Sequence, residues 1–450
     1  MKRSFLIAAG LFPIVAFAQT TTLNNLVVNG LSNFFGPVSL QNSASAVTPP
    51  FGDNSTAVPT TSFVARHAPC PSIMDHGGDN TGTNDNSSAF LNTINAQPVG
   101  RACVFFPSGT YEFSGIVSYT LPDANSSFTV LGSGESSTNL VWNNGGGLQI
   151  VMPGGTNNSA HIRDLSFLNG SPGTGNAAIA LINQTASEAP VPTVISDITN
   201  VSIHGSDGFA QNNYWQQGIY TASWSNINFT GVTVIGSAHG GDFAGYAGQG
   251  LGIDFTGSSG NGSAPQGVQY NIAGCQFNYL QAGVQYNDWI QGLSISQTNF
   301  TGGKFGIHVT PPNQGQDQLI VTGSQFNDSA YGIWDEAGIP GLVISNNYFL
   351  IPTPTSNNAA VFLTDVYTAA ISNNHFQRIG ASANGTNGVA IGKNNYAGAV
   401  ISGNTFTGLG TGIFLQNSSS ANSVQSNLYH ANGTNIVNQG AGNIIGGGAP

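Results

Sequence analysis

A short phrase that recurs seven times between residues 270 and 437 constrains the fold of this chain more than any other feature. Each copy begins with Ile or Val, continues through a turn signal and ends five residues later with Phe or Tyr; the copies begin at Ile272, Ile295, Val321, Ile344, Ile371, Ile401 and Val424. Successive final aromatics are 23, 26, 23, 27, 30 and 23 residues apart. A period of this length is typical of a solenoid, in which each repeat buries its apolar face against its neighbours.

Two further columns repeat in step with the aromatic residues. The position three residues before each aromatic is mostly Gly or Asn, residues that tolerate a left-handed bend. In order along the chain it is occupied by Gly274, Gln297, Gly323, Asn346, Asn373, Gly403 and Ser426. A second apolar strand follows at 283–286, 306–309, 332–335, 360–363, 388–391 and 412–415. About two strands and a Gly/Asn-rich loop per turn, without helical periodicity, predict an all-β fold, a right-handed, single-stranded parallel β-helix.

The composition agrees with this fold and excludes some functions. The formal net charge is -11 but only 6% of the residues are charged, so electrostatic binding of nucleic acid is not expected. Hydrophobic residues make up 40% of the chain, which is enough for an extensive core. Beyond the N-terminus, no segment has the length and apolarity of a membrane span.

The N-terminal part of the chain divides into two segments before the main domain at 67–450. Residues 1–18 carry Lys2-Arg3, an apolar run and an Ala-x-Ala ending, which predict a signal peptide and a secreted, extracellular or surface protein. Residues 19–66 form short Gly-punctuated strands and resemble the neck regions of phage tail-fibre-like proteins, in which three chains intertwine. This resemblance implies a homotrimer; the alternative is a flexible leader.

Export makes a disulfide plausible among the three cysteines. Cys70 and Cys103 flank the first folded segment and could close it, whereas Cys275 lies in the repeat column and is expected to be buried.

Residues 75–111 carry a second recognisable signature. A turn rich in Gly and Asp precedes a short amphipathic helix, with Asp85 as the expected N-cap and Ala89, Phe90 and Ile94 on the buried side, and a strand ending Phe-Pro-Ser-Gly-Thr-Tyr follows. This segment resembles the opening of pectate-lyase-superfamily β-helix proteins, which include rhamnogalacturonase-like and epimerase-like domains and phage tailspikes. It departs from their pattern at His76 and at the adjacent Gly78 and Asp79. The resemblance implies a helical cap that is structural rather than catalytic.

Carboxylates are scarce after residue 200, where the chain has nine. Five occur at one phase of the repeat, just after the second strand, and are the candidate catalytic residues: Asp254, Asp288, Asp335, Glu336 and Asp365. Equivalent residues of adjacent coils stack about 4.8 Å apart, so carboxylate pairs at roughly 5 to 10 Å are expected. The distances between the two catalytic carboxylates of retaining and inverting glycosidases fall within this range. Stacked carboxylates also repel each other, which either raises the pKa of one of them or requires a cation such as Ca²⁺.

A column of outward-facing residues lies beside these carboxylates. Aligning the second strands gives Tyr220, Gly252, Gln285, His308, Trp334, Phe362, Ala390 and Phe414 in successive coils. Its aromatic members Tyr220, His308, Trp334 and Phe362, with Trp289 beside Asp288, are candidates for stacking on sugar rings. The alternative is burial against a partner chain.

These patterns predict a secreted protein that acts on a polysaccharide or oligosaccharide. The leading hypothesis is glycosidic-bond hydrolysis with Glu336 as proton donor and Asp335, Asp288 or Asp365 as base, nucleophile or stabiliser; no cofactor is required and Ca²⁺ is possible. The alternatives are a pectate-type lyase and a non-catalytic glycan-binding or trimeric surface protein. The polygalacturonase-type motifs are absent from the sequence, and the long loops 204–217 and 236–249, with Asp207, His239 and Asp242, form an alternative site.

Overall fold

The computed structural model describes residues 70–446, except 124, 154–156, 174–176, 185–193, 239–247, 258–266, 312–316, 328–329, 352–357, 379–385 and 395–396. All described residues belong to one compact unit, Ala68–Pro450. The predicted signal peptide (1–18) and neck (19–66) lie outside the described residues.

The described residues form coils in which every strand pairs in parallel with its equivalents in the coils before and after, confirming the predicted parallel β-helix. Each regular coil contributes three strands, one to each of three faces, whereas the sequence predicted two. The additional strand arises because the repeated phrase is divided in two by its bend residue. All seven predicted bend residues have positive φ, from 48° at Gln297 to 70° at Gly403.

The first face holds the strand before the bend. Its strands are β2 (Arg101–Phe106), β5 (Ser127–Gly132), β12 (Ile227–Thr230), β15 (Gly267–Ala273), β18 (Ile290–Ser296), β21 (Asp317–Thr322), β24 (Leu342–Ser345), β27 (Ala369–Ser372), β30 (Ala399–Ser402), β33 (Ser423–Gln425) and β36 (Ile444–Ile445).

The second face holds the strand after the bend, which carries the repeated aromatic residue. Its strands are β1 (Thr81–Asp85), β3 (Gly109–Phe113), β6 (Thr138–Trp142), β13 (Thr233–Ile235), β16 (Gln276–Asn278), β19 (Asn299–Thr301), β22 (Gln325–Asn327), β25 (Tyr348–Ile351), β28 (His375–Arg378), β31 (Thr405–Thr407) and β34 (Leu428–His430). The long strands β8 (Ser159–Asn169) and β10 (Ser196–Gly205) continue through the bend and join the first two faces.

The third face holds the second strand of the sequence repeat. Its strands are β4 (Ile116–Thr120), β7 (Gly147–Met152), β9 (Ala177–Asn183), β11 (Gln217–Ala222), β14 (Leu251–Thr256), β17 (Ala282–Tyr286), β20 (Phe305–Val309), β23 (Tyr331–Asp335), β26 (Ala359–Val366), β29 (Asn387–Asn394), β32 (Thr411–Ser418) and β35 (Thr434–Asn438).

Two stacks of equivalent side chains stabilise the regular coils from inside. The repeated aromatic rings, Phe277 to Tyr429, lie nearly parallel, with centroids 4.6 to 5.4 Å apart. Directly after the bend, Asn347, Asn374, Asn404 and Asn427 form a buried ladder. The side-chain oxygens of the last three each accept a hydrogen bond from the backbone N–H of the Asn one coil earlier. Because the ladder satisfies buried backbone groups at the bends of these coils, it fixes the register of one coil against the next.

An N-terminal helix, α1 (Ser87–Asn95), buries Ala89, Phe90 and Ile94, as the sequence predicted. Asn86 rather than Asp85 occupies its N-cap position, although the Asp85 carboxylate still accepts a hydrogen bond from the Ser87 N–H. A disulfide joins Cys70 to Cys103, with Cα atoms 5.1 Å apart.

Cys275 is buried in the repeat column, and burial raises the pKa of its thiol to about 11. No helix within the described ranges is long and apolar enough to cross a membrane.

Candidate functional site

The outward column of the third face is continuous but differs at one position from the sequence alignment. Register pairs Tyr220 with Asp254, and Asp254 with Gln285, and the column continues through His308, Trp334, Phe362, Ala390 and Phe414. Gly252, which the sequence placed here, faces Phe277 instead; a Cβ built on it would lie 2.6 Å from that ring. The alignment was therefore wrong by two residues in this coil, and Asp254 belongs to the outward column itself.

Five rings form an aromatic platform on the third face: Phe305, His308, Tyr331, Trp334 and Phe362. The His308 and Trp334 rings stack with centroids 4.9 Å apart and 14° between planes, and Trp334 lies 12° from parallel with Phe362 at 6.3 Å. Tyr331 contacts both Trp334 and Phe362, at 4.9 and 5.7 Å. Phe305 is buried beside His308, whereas the other four side chains are partly exposed. These contacts hold the rings in one orientation.

Glu336 lies at the edge of this platform. Its carboxylate is 2.7 Å from Nε2 of His308, and the two side chains are 23% and 16% exposed, so solvent reaches both. The Trp334 indole N–H donates to Thr364 Oγ1 at 3.0 Å, which fixes the ring beside this pair. Burial, together with the nearby Glu336 charge, raises the pKa of Tyr331. The sequence-predicted residues Glu336, His308, Trp334 and Phe362 therefore do lie together.

Asp254 lies in the same column, two register positions before His308. It is 5% exposed, and three side-chain amides donate to its carboxylate: Gln217 at 2.5 Å, Asn287 at 2.6 Å and Gln285 at 3.5 Å. Burial raises the pKa of Asp254 and outweighs these three donors, which lower it. A carboxyl in such surroundings retains its proton to higher pH than an exposed one.

Tyr220 and a short hydrogen-bonded chain adjoin this carboxyl. Burial raises the pKa of Tyr220, and the charge of Asp254 adds to the effect. Asn287 donates to Asp254, and Thr310 in turn donates to Asn287 Oδ1 at 2.8 Å. Asn287, Thr310 and Glu336 directly follow the in-register residues Tyr286, Val309 and Asp335 of adjacent coils. A polar row therefore leads from Asp254 towards Glu336.

Asp335 does not face this surface. It is 1% exposed, in register with the core residues Val309 and Leu363, and its carboxylate accepts hydrogen bonds from the N–H groups of Ala337, Gly338 and Ile339 at 2.9 to 3.0 Å. Burial raises its pKa to about 6. The predicted catalytic residue Asp335 therefore does not lie beside the platform, because the alternation of side chains along β23 turns it into the core, where it closes a turn.

Asp365 is also displaced from the predicted carboxylate column. It is 8% exposed, accepts from the Val366 N–H at 2.9 Å, and pairs with the next coil's Lys393 at 3.1 Å. This partner balances its charge. The predicted stack of Asp335, Glu336 and Asp365 therefore separates into a core residue, a platform residue and an ion pair.

Asp288 and Trp289 lie in the turn between β17 and β18, outside the outward column. Both are partly exposed, and the Asp288 backbone carbonyl accepts from Gly257 N at 2.8 Å. Trp289 has a φ of 61°, and its indole N–H is buried without a hydrogen-bond partner among the described residues. Neither residue joins the aromatic platform.

Of the alternative loop residues, only Asp207 is described. It accepts hydrogen bonds from the N–H groups of Asn212 and Asn213 and so closes its own loop, whereas His239 and Asp242 lie outside the described residues. Within the described ranges, no group of three or more His, Cys, Asp or Glu side chains could hold a metal ion.

Sequence reasoning missed Phe305 and Tyr331, which complete the platform. A signal was present, because each immediately precedes the Gly that begins a second strand, in consecutive coils. It also missed a charged cluster on the first face, where Asp197 accepts from Arg163 through two hydrogen bonds of 2.6 Å and contacts His161 at 2.5 Å. Burial opposes ionisation of Asp197, but the hydrogen bonds and charges of Arg163 and His161 hold its pKa well below the ordinary value. Arg163, His161 and Asp197 therefore already bind one another.

The regular coils are similar in sequence to one protein family. Residues 225–445 match the model of a family described as periplasmic copper-binding protein (NosD). No curated protein sequence matches the chain.

Several solved structures are similar to this one. The catalytic unit of a GH87 α-1,3-glucanase from Streptomyces thermodiastaticus matches 85% of this chain and 69% of its own, with a TM-score of 0.56 and 13% identity. The Streptococcus pneumoniae surface adhesin PfbA matches 82% of this chain and 91% of its own (TM-score 0.51, 13% identity), and tailspike protein 3 of bacteriophage CBA120 matches 84% and 62% (TM-score 0.52, 13% identity). At this identity the similarity shows the fold: the chain is a right-handed parallel β-helix protein, as the pectate-lyase-superfamily resemblance implied.

Proposed function

We propose that the third face binds a polysaccharide and hydrolyses its glycosidic bonds. The observation that carries this proposal is the aromatic platform on the third face, which has Glu336 at its edge and Asp254 in the same outward column, two carboxyl groups in different surroundings. The scarcity of carboxylates in the chain adds weight, because two of the nine that follow residue 200 lie on this face.

Binding follows from the shape and chemistry of the platform. The nearly parallel rings of His308, Trp334 and Phe362 come from three successive coils, so they present apolar surface along the helix axis at steps of about 4.8 Å. The apolar faces of sugar rings stack on such surfaces, while Glu336 and His308 are placed to hydrogen-bond hydroxyl groups. A polymer that lies along the helix axis therefore meets one ring in each of these three coils.

The environments of the two carboxyls suggest their roles. Asp254, whose pKa is raised by burial, retains its proton to higher pH than an exposed carboxyl and serves as the general acid that protonates the leaving oxygen. Glu336, partly exposed and adjacent to His308, serves as the general base that activates a water molecule. These roles reverse the sequence-based hypothesis, in which Glu336 was the proton donor.

The two carboxyl groups are too far apart for the roughly 5 to 5.5 Å of a retaining enzyme. The coil of Glu336 lies three register positions after that of Asp254, roughly 14 Å at about 4.8 Å per coil, and the Glu336 side chain reaches back one coil to His308, which is on the order of 10 Å from Asp254. The roughly 6.5 to 9.5 Å of inverting enzymes is therefore the nearer of the two geometries. The parallel β-helix fold is shared with an α-1,3-glucanase, so it accommodates such chemistry.

Reducing ends released from a panel of neutral and acidic polysaccharides test this proposal. We expect Glu336→Gln and Asp254→Asn each to lower the rate at least 100-fold, because general acid–base catalysis contributes about 10²- to 10⁴-fold. Both variants should still bind the substrate. The matched control is Asp288→Asn, which removes a nearby carboxylate outside the column and should retain the rate. Undiminished activity in either of the first two variants would refute the assignment.

One observation favours a second function, polysaccharide binding without cleavage. Asp254 is only 5% exposed and three amides occupy its carboxylate, so access of a leaving group requires these amides to move. In that case no product appears with the wild type on any substrate, while Trp334→Ala still weakens binding.

A further inference from the structure

A groove of 570 Å³ lies along the bend between the first and second faces, and no residue of the aromatic platform lines it. Four successive coils contribute its lining, from Gln297 and Asn299 in the first to Asn373 and His375 in the last. The positive-φ bend residues point one set of side chains into it, and the outward column of the second face supplies the other. The groove therefore runs parallel to the helix axis.

Six of the ten lining residues carry uncharged side-chain amides. Gln297, Asn299, Gln325, Asn346 and Asn373 are all exposed. Among the described residues, none of these side chains forms a hydrogen bond with another protein group. Each primary amide carries two donors and two acceptor lone pairs, so the groove offers many unused partners of both kinds to a ligand rich in hydroxyl groups.

An aromatic step adjoins the amides at one end of the groove. The Tyr348 and His375 rings stack with centroids 5.2 Å apart and 11° between planes, and the Tyr348 hydroxyl donates to Gln377 Oε1 at 2.8 Å. Both rings are partly exposed and lie in register on adjacent strands. Flat apolar surface beside free amides is the combination that recognises a sugar ring, which has an apolar face and a polar rim.

The floor of the groove is rigid. Ser324 and Asn347, which belong to the buried column after the bend, form part of the lining. Asn347 Oδ1 accepts from the Ser324 N–H at 2.9 Å, and the Asn347 side chain donates to the Val321 carbonyl at 3.0 Å. Because the ladder beneath fixes the bends, the amides above it are preorganised and binding orders few groups.

We propose that this groove is a second carbohydrate-binding site, which takes an uncharged polysaccharide chain lying along the helix axis. His375 is the only ionisable side chain besides Tyr348 among the lining residues, so an acidic polymer gains no ion pair there. The site is separate from the third face, and its occupancy does not depend on hydrolysis at Glu336 or Asp254.

Affinity electrophoresis through gels containing dextran, soluble starch or galactomannan tests the groove, with polygalacturonate as the acidic comparison. The proteins carry Trp334→Ala so that the aromatic platform does not contribute. We expect this background to be retarded by at least one neutral polymer. Adding Tyr348→Ala should weaken that binding at least tenfold, whereas Thr405→Ala, which is in register with His375 but outside the groove, should leave it unchanged.

Three results overturn the proposal. The first is loss of all neutral binding in the Trp334→Ala background; the second is unchanged binding after Tyr348→Ala; the third is equal retardation by polygalacturonate. Circular dichroism confirms that the variants are folded. Cleavage by Glu336→Gln is measured separately, so failure of the hydrolase assignment and failure of the groove give different results.

Discussion

Removing one rung of the buried asparagine ladder should destabilise the β-helix strongly. Asn374→Ala deletes four hydrogen bonds: two to its side-chain oxygen, from the backbone and side-chain nitrogens of Asn347, and two from its side-chain nitrogen, to the Ile344 carbonyl and to Asn404 Oδ1. The backbone N–H of Asn347 and the carbonyl of Ile344 then stay buried without these partners. At about 1 to 3 kcal/mol for each unsatisfied group, the expected loss in free energy of unfolding is about 2 to 6 kcal/mol.

The chain supplies a matched control for this substitution. Ser324 occupies the same column, and its hydroxyl accepts from the Thr298 N–H at 3.2 Å and donates to the Thr322 carbonyl. Asn374→Ser should therefore keep the acceptor for the Asn347 N–H and lose less stability than Asn374→Ala.

Equilibrium urea denaturation followed by far-ultraviolet circular dichroism measures both variants against the wild type. The expected order of midpoints is wild type, Asn374→Ser, Asn374→Ala. An Ala variant as stable as the Ser variant would show that the ladder is incidental to stability, and the reasoning about unsatisfied backbone groups would be refuted.

Two further predictions concern buried positions of the third face. In the folded state the pKa of Asp335 is about 6, against an ordinary value of 3.8, so between these pH values the folded state binds more protons than the unfolded state. The contribution of Asp335 to the free energy of unfolding therefore falls as the pH rises from about 4 to 6, by about 3 kcal/mol in total. The stability of Asp335→Asn relative to wild type should therefore increase over that range in thermal melts; a flat difference contradicts the burial argument. In Gly283→Ala the new Cβ would lie 2.5 Å from the Phe300 ring, and we expect a loss of about 1 to 3 kcal/mol in denaturation, whereas an unchanged midpoint would mean that the ring stack adjusts freely.

The sequence was sufficient for the architecture because the coils repeat. The aromatic column, the bend residues and the second strands were all predicted, and the bends have the positive φ values that Gly and Asn favour. Each of these positions reflects a local backbone preference or an apolar side chain that must face its equivalent in the next coil. Such constraints recur at a nearly fixed spacing, so they can be recognised in the amino-acid sequence alone.

The number of strands per coil was harder to predict. The repeated phrase is continuous in sequence, and only the left-handed residue at its centre divides it between two faces. In the same way, the two-residue shift at Gly252 arose because Gly250 and Gly252 both resemble the Gly that begins a second strand. Gly252 is the equivalent of that Gly because it lies against the Phe277 ring, a contact that no local sequence pattern shows.

The sequence by itself placed scarce carboxylates and aromatic residues at neighbouring phases of the repeat. It placed Glu336, His308, Trp334 and Phe362 near one another, and the structure brings them into contact. Only the tertiary structure decided which carboxylates reach the surface. Adjacent residues of a strand point to opposite sides, so a difference of one position sends Asp335 into the core and leaves Glu336 at the platform, and register with a neighbouring coil gives Asp254 its amide partners.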